Sequence, residues 1–418
     1  MASPEHVFKL VRERRNLFFK IVLLSIILFA IFFRVWGIDS ESYWLDEVIS
    51  VRQAQEPLEK SIEMVKKDTH LPLYITLLNV WVHLFGVSEA STRFMSAVFG
   101  VASVYVIFLL GRKLFNKRVG LYSSVILAFS SISIYYSQEA RLYALFVVLA
   151  MLSFYFYVSF LERKNLKNTL LYAFFTLLMI YTFLFSALVM LVQNVYYFLK
   201  NMRNSRNLLH WIILQAALFA VFVPWIPVLF GQLKAISYLS WIARPTPMMV
   251  FWTFNDFFSN LLVLSVFLLT VSISAYGLWK SRGGYETKHL ELLAIWALLP
   301  IAVVIAFSLF FTPVYHTRYF LFSLPAFYLL FAWSLPRVSE KKYVQIALVI
   351  LIMLFSTITI VEQYERVDKQ NWRGVSLFIR ENVKEGEVVF IHPFYHHDPF
   401  SFYYDRECFS DYFLHSCN

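Results

Sequence analysis

The stretch Leu142-Tyr-Ala-Leu-Phe-Val-Val-Leu-Ala-Met-Leu-Ser-Phe-Tyr-Phe-Tyr-Val-Ser-Phe-Leu161 runs for twenty residues without a charged side chain. As a helix it reaches about 30 Å, the thickness of a bilayer's hydrocarbon core. Directly before it stands Tyr135-Tyr-Ser-Gln-Glu-Ala-Arg141, and before that another apolar run at about Val119–Tyr136. Two spans joined this tightly form a hairpin whose turn, with Glu139 and Arg141, is held at the membrane edge.

Working outward, the same length criterion finds spans at about Leu17–Val35, Phe94–Leu110, Leu208–Phe230, Leu261–Trp279, Leu290–Phe311, Tyr319–Leu335 and Tyr343–Val361. The run Thr169–Leu199 suits two short or tilted spans with a turn near Phe183–Ser186. The sequence thus predicts eleven crossings. Leu71–Phe85 is apolar but short, opens on Pro72 and carries Asn79 and His83, so it reads as a helix lying in the interface. The segment from Gly37 to Arg93 that contains it is a large external loop.

Composition agrees. Of 418 residues, 59% are hydrophobic and only 15% charged, against about 25% charged in a soluble domain. A soluble globule could not bury so much apolar surface, and a disordered chain would not carry it. Two cysteines exclude a disulfide scaffold. The net charge of +10 collects in short loops such as Arg163/Lys164/Lys167, Lys200/Arg203/Arg206 and Arg337/Lys341/Lys342, the mark of cytoplasmic loops. With Lys9, Arg12, Arg14 and Arg15 ahead of the first span, the N-terminus is expected inside and the C-terminus outside. No small-x-small cleavage pattern follows the first span, which reads as uncleaved. No basic stripe interleaved with aromatics points to nucleic acid.

From about Glu362 the composition turns soluble. Asn371–Arg380 has helical spacing and Glu387–Ile391 reads as a strand, so a small external α/β tail over 362–418 is expected after a membrane domain over 1–361. Cys408 and Cys417 lie in it and could pair.

Charges flanking the spans gather at the external edge in three groups. Tyr43-Trp-Leu-Asp-Glu47 offers adjacent acids, as a general base or metal ligand, or simply as acids that start a helix. Tyr135–Tyr143 offers Glu139 and Arg141, an arrangement suited to a phosphate headgroup or one that only marks a hairpin end. Tyr315-His-Thr-Arg-Tyr319 adds His316, Arg318 and Tyr319, and Arg93 and His70 could join the same surface; each alone also reads as an interfacial anchor. His396-His-Asp398 is a short tract that could ligate metal. Acids and arginines together suit transfer of a group from a lipid-linked phosphate, with arginine neutralising the leaving phosphate and a carboxylate deprotonating the acceptor.

These residues resemble a known family. Tyr43-Trp-Leu-Asp-Glu47 is similar to the acidic motif in the first external loop of the GT-C glycosyltransferases, in the branch of protein O-mannosyltransferases and aminoarabinose transferases. His70-Leu-Pro-Leu-Tyr74 through Gly86 resembles that branch's His-Pro-Pro-Leu-Tyr stretch and interfacial helix, with Leu71 in place of the first proline. Ser88-Glu-Ala-Ser-Thr-Arg93 with Ser96-Ala-Val-Phe-Gly100 continues the match. Tyr136-Ser-Gln-Glu-Ala-Arg-Leu-Tyr143 resembles the family-39 and Rgt-like transferases, and Arg318-Tyr319 and Asn371-Trp-Arg-Gly374 resemble later landmarks.

The resemblance implies a GT-C fold and an inverting transfer of sugar from a polyprenyl- or dolichyl-phosphate on the extracytoplasmic side to a lipid, glycan or protein acceptor. By position, it implies Asp46 as general base and Glu47 as its neighbour in the acceptor site. Glu139, Arg141 and Tyr143 would shape the donor pocket, with Arg318 on the donor phosphate. A divalent cation, magnesium or manganese, assists some relatives; no ligand set here demands one. The rival readings are a lipid or solute transporter, for which the spans offer little polar path, and a non-catalytic partner in envelope assembly, against which the retained Asp46 and Glu139 argue.

Overall fold

The computed structural model describes residues 4–237, 242–280, 289–384 and 387–405. They are all-helical: α1 (Pro4–Val35); α2 (Leu45–Gln55), α3 (Leu58–Lys67) and α4 (Pro72–Phe85) in the first loop; then α5 (Glu89–Leu114), α6 (Lys117–Ala128), α7 (Ser131–Ser137), α8 (Tyr143–Glu162), α9 (Leu166–Ile180), α10 (Ser186–Asn201), α11 (Ser205–Phe222) and α12 (Ile226–Ser237). After these come α13 (Pro247–Phe257), α14 (Leu261–Lys280), α15 (Leu290–Phe310), α16 (Leu324–Val338) and α17 (Lys342–Glu365), and in the tail α18 (Trp372–Asn382) and α19 (His397–Tyr404).

Every expected span coincides with a helix or helix pair, and the chain is a multi-pass membrane protein. Eight helical segments among the described residues are long and apolar enough to cross a bilayer, or nine if the bent pair α6–α7 is one span. Helices α9 and α10, read from sequence as two further crossings, have 15 and 16 residues, below the usual spanning length of about 17–25. Large apolar side chains such as Leu17, Phe18, Leu24 and Leu28 on α1, and Leu354 and Ile358 on α17, face outward, where lipid replaces a protein partner.

Two close approaches shape the bundle around α5. A Cβ on Gly120 of α6 would lie 2.6 Å from the Phe108 carbonyl, so only glycine allows this helix–helix contact. A Cβ on Gly100 would meet Ser137 Oγ at 2.1 Å and Arg34 Nε at 2.9 Å, so this glycine admits both α7 and the α1 arginine.

Arg34 explains the 64° bend between α6 and α7. Its guanidinium is wholly buried and donates to the carbonyls of Leu127 (3.2 Å) and Ala128 (3.4 Å) and to Ser133 Oγ (3.0 Å). A helix break inside a bilayer needs its freed carbonyls satisfied by protein. The bend aims the α7–α8 turn, residues 138–142, toward the first loop, and Gln138 Nε2 fixes that turn to the end of α1 through the Trp36 carbonyl at 2.8 Å.

The tail departs from expectation. Residues 387–391, read as a strand, form none, and the described part of the tail is helical. A strand needs a ladder partner for its backbone groups, and Val388 and Phe390 instead stand exposed. Cys408 and Cys417 lie outside the described residues.

Candidate functional site

Asp46 and Glu47 follow each other in the first turn of α2, where acids suit the helix dipole. Their surroundings have little in common. Glu47 is 0% exposed. Its Oε1 accepts from Arg93 Nε (2.8 Å) and from the Ala140 amide (2.9 Å); its Oε2 accepts from Arg93 Nη2 (2.7 Å) and Lys369 Nζ (3.2 Å). That fills a carboxylate's acceptor capacity. Arg93 is equally committed: besides Glu47 it donates to the carbonyls of Ile38 (2.9 Å), Glu41 (2.8 Å) and Ser42 (3.1 Å), which uses all five of its N–H groups. Burial pushes the Glu47 carboxyl up, but Arg93, Lys369 and the Ala140 amide outweigh it and hold it at about 2. Sequence reasoning set Glu47 beside the acceptor and Arg93 on the binding surface. The geometry commits both to a buried ion knot that ties the first loop to α5, the α7–α8 turn and the tail.

Asp46 faces the other way, its side chain 25% exposed. Its Oδ2 lies 3.3 Å from Arg318 Nη1 and 3.6 Å from Arg141 Nη2. Charge-assisted N–H···O contacts are optimal at about 2.7–2.9 Å, so both are loose, and Oδ1 has no hydrogen-bond partner among the described residues. Arg141 is locked by donating Nη1 to the Asp46 carbonyl and to Ser50 Oγ, both at 2.9 Å. Its Nη2 approaches His70 Nε2 at 2.7 Å. A guanidinium only donates, so Nε2 accepts. That leaves the ring proton on Nδ1, which faces Asp68 Oδ2 at 3.3 Å. Gln232 of α12 steadies the loop by donating to the His70 carbonyl at 2.9 Å.

Arg318 enters from the 3₁₀ helix Thr317–Ser323. Its guanidinium lies over the rings of Trp44 (5.5 Å), Tyr319 (5.6 Å) and Tyr143 (5.9 Å), within cation–π range. Phe183 and Phe185, from the turn between α9 and α10, extend this wall onto Tyr319 at 5.7 and 4.8 Å. His316 accepts from the Arg318 amide at 3.4 Å; burial and the Arg318 charge push its imidazole down to about 4, so it is neutral at physiological pH.

Glu139 sits between the two acids' settings. It is 1% exposed, and its Oε2 is buried with no hydrogen-bond partner among the described residues. Burial, reinforced by Glu47, pushes its carboxyl up to about 7 against the opposing charges of Lys369, Arg318 and Arg141. A buried carboxyl without a hydrogen bond is costly, and such groups concentrate where ligands bind.

The structure thus brings Asp46, Arg141, Arg318, His70, Tyr143, Tyr319 and His316 into one cluster, with Glu139 buried in the adjoining turn and Glu47 and Arg93 held in the knot. Sequence reasoning missed Asp68, Ser50, Trp44 and Lys369. Asp68 and Lys369 each stand two residues ahead of a quoted motif, which was the available signal. Asp398 of the tail tract pairs with Arg52 at 3.1 Å, and no three His, Cys, Asp or Glu residues gather as a metal site among the described residues.

Residues 69–230 match the family described as dolichyl-phosphate-mannose-protein mannosyltransferase. The structure is similar to that of ArnT from Cupriavidus metallidurans bound to undecaprenyl phosphate, with a TM-score of 0.64 at 12% identity over 92% of this chain and 84% of that one. It is also similar to the Archaeoglobus fulgidus oligosaccharyltransferase in complex with zinc and sulfate, with a TM-score of 0.56 at 16% identity over 89% of this chain. The archaeal oligosaccharyltransferase AglB from the same organism, in complex with an inhibitory peptide and a dolichol-phosphate, gives 0.52 at 14% identity over 91% of this chain. The chain spans 59% and 62% of these two longer chains. No curated protein sequence matches significantly. The family match spans less than half of the chain, and the likeness to these solved structures, at 12–16% identity, shows that the chain shares their fold.

Proposed function

We propose that the protein is an inverting glycosyltransferase that moves a sugar from a polyprenyl- or dolichyl-phosphate donor to a hydroxyl acceptor on the extracytoplasmic side of the membrane. The observation that carries this reading is the convergence of Arg141 and Arg318, from separate loops, within 3.6 Å of the partly exposed Asp46 carboxylate. A site for a phosphate-bearing lipid needs fixed cations, and a transferase also needs a base beside them.

In this reading the lipid phosphate lies against Arg141 and Arg318. The acceptor hydroxyl oxygen attacks the anomeric carbon from the opposite face while the anomeric carbon–phosphate oxygen bond breaks. Asp46 takes the hydroxyl proton, and the lipid phosphate departs with its negative charge held by the arginines. The Asp68–His70–Arg141 chain fixes one guanidinium, and the Trp44–Tyr143–Tyr319 rings fix the other, so little reorganisation accompanies the charge shift. Glu139, as carboxylate, accepts a hydroxyl of the bound sugar. Charge neutralisation comes from the arginines in this reading, and dependence on a divalent cation is one variable of the test.

The test is to incubate the purified protein with a panel of lipid-phosphate sugars, with and without added divalent cation, and to follow release of polyprenyl or dolichyl phosphate. Release or transfer with one donor and inversion at the anomeric carbon are expected. Inertness toward every donor, with a folded protein, would overturn the reading.

A further inference from the structure

The tail after α17 does more than cover the first loop. It is fastened to that loop at several points: Arg373 donates to Glu89 at 2.7 Å, and the Tyr403 hydroxyl donates to the same carboxylate at 2.7 Å while accepting the Tyr43 amide at 2.7 Å. Glu41 Oε1 accepts from the Asp368 and Lys369 amides at 2.7 and 3.1 Å, and Ser42 Oγ donates to the Gln370 carbonyl at 2.6 Å. These contacts drive the Lys369 side chain inward, where it is 9% exposed. Its ammonium donates to Glu47 Oε2 at 3.2 Å, points at the Gln138 carbonyl at 3.5 Å and lies over the Tyr135 ring at 5.9 Å.

Lys369 therefore touches both segments that carry the acids. Glu47 is joined covalently to Asp46, and Gln138 to Glu139. Of the other cations here, Arg93 reaches Glu47 from α5, and Arg141 and Arg318 contact Asp46.

We propose that Lys369 is a positioning residue: docked from the tail, its ammonium holds the Asp46–Glu47 and Gln138–Glu139 segments in register, so that the cluster around Asp46 is complete only with the tail in place. The proposal rests on the transferase reading for its kinetic consequence, but not for its structural one.

The groups facing Glu139 are Lys369 from the tail, Glu47 from α2, Arg141 from its own turn, Arg318 from the 3₁₀ helix, and Tyr135 and Tyr136 from α7. Among the cations, Lys369 opposes the upward push on Glu139 most strongly. Its removal therefore raises Glu139 further. Where the carboxylate form is the working one, the acid limb of the rate moves to higher pH. A merely structural lysine would not move that limb.

The experiment compares the full chain with K369M, K369R, E139Q and K369M/E139Q, using the lipid-phosphate sugar that the wild-type protein accepts. For K369M we expect a kcat at least about tenfold lower, a donor KM within about threefold, an acid limb shifted to higher pH, and faster protease cleavage of the tail beyond Glu365. Arginine keeps the charge, and Lys369 lines a cleft together with Tyr135 and Gln138. K369R is expected to restore tail protection and most of kcat. In the E139Q background the methionine should cause no further shift of the limb. Wild-type kcat, pH profile and tail protection in K369M would overturn the proposal, as would a loss that K369R does not recover. If no donor is turned over by the wild-type chain, the transferase reading fails on its own. Tail protection lost in K369M and regained in K369R would then still support the clasp, and unchanged protection would sink it.

Discussion

Asp46 and Glu47 are neighbours in sequence and opposites in structure. Glu47 has every acceptor site filled at 2.7–3.2 Å and no exposed surface. Asp46 has two loose cation contacts at 3.3 and 3.6 Å and, among the described residues, no hydrogen-bond partner on Oδ1. A saturated carboxylate has nothing to offer a ligand and much to lose if altered, whereas an under-satisfied one keeps capacity for a substrate. On the proposed reading, the difference gives Glu47 a holding role and leaves the chemistry to Asp46.

The sharpest test of that division is Asp46→Asn. Loss of a general base costs about 10²–10⁴-fold in rate; the expected outcome is that loss in kcat, with unchanged detergent-extracted yield and thermal unfolding. A stable variant with near-normal turnover would erase the distinction from the Asp46 side.

Glu47→Gln attacks it from the other side. Breaking a buried ion pair by removing one partner costs about 3–5 kcal/mol, here leaving Arg93 and Lys369 buried without their anion. The folded yield should collapse or the unfolding temperature fall well before any specific kinetic effect is measurable. A well-folded Glu47→Gln protein that merely lacked activity would move Glu47 back into the chemistry.

Glu139 lies between the two cases. Its raised value of about 7 means the carboxylate fraction falls as pH drops through neutrality, so kcat/KM should decline on that acid limb, about tenfold per unit once well below it. Glu139→Gln should flatten the limb and lower the plateau. An unaltered limb in the variant assigns the titration to another group.

Arg373→Ala tests the rim of the tail. That pair with Glu89 is partly exposed, and exposed ion pairs contribute about 0–1 kcal/mol. A small drop in thermal stability and faster tail proteolysis are expected, with kcat within about twofold. A large kinetic loss would show that the tail's outer fastening matters as much as Lys369.

Much of this was legible beforehand. The uncharged run Leu142–Leu161 and its neighbours marked the spans because hydrocarbon tolerates few other compositions, and the acids and arginines of three turns were visible because they flank those spans. The strand expected at 387–391 was not there: a short apolar run reads alike as strand or extended loop until a partner is found. The split of the first loop into three helices and the bend between α6 and α7 were also hidden, the latter because it depends on Arg34 reaching the Leu127 and Ala128 carbonyls from another helix.

By itself the sequence determined a multi-pass helical protein with charges confined to its turns, since that follows from local composition against a solvent with no hydrogen bonds to give. Only the tertiary structure decided which of two adjacent acids is bound up and which is open. Successive residues on a helix point about 100° apart, and the partners that fill Glu47 come from 46, 93 and 322 residues away along the chain. No local pattern encodes contacts of that reach; they exist only once the bundle has closed.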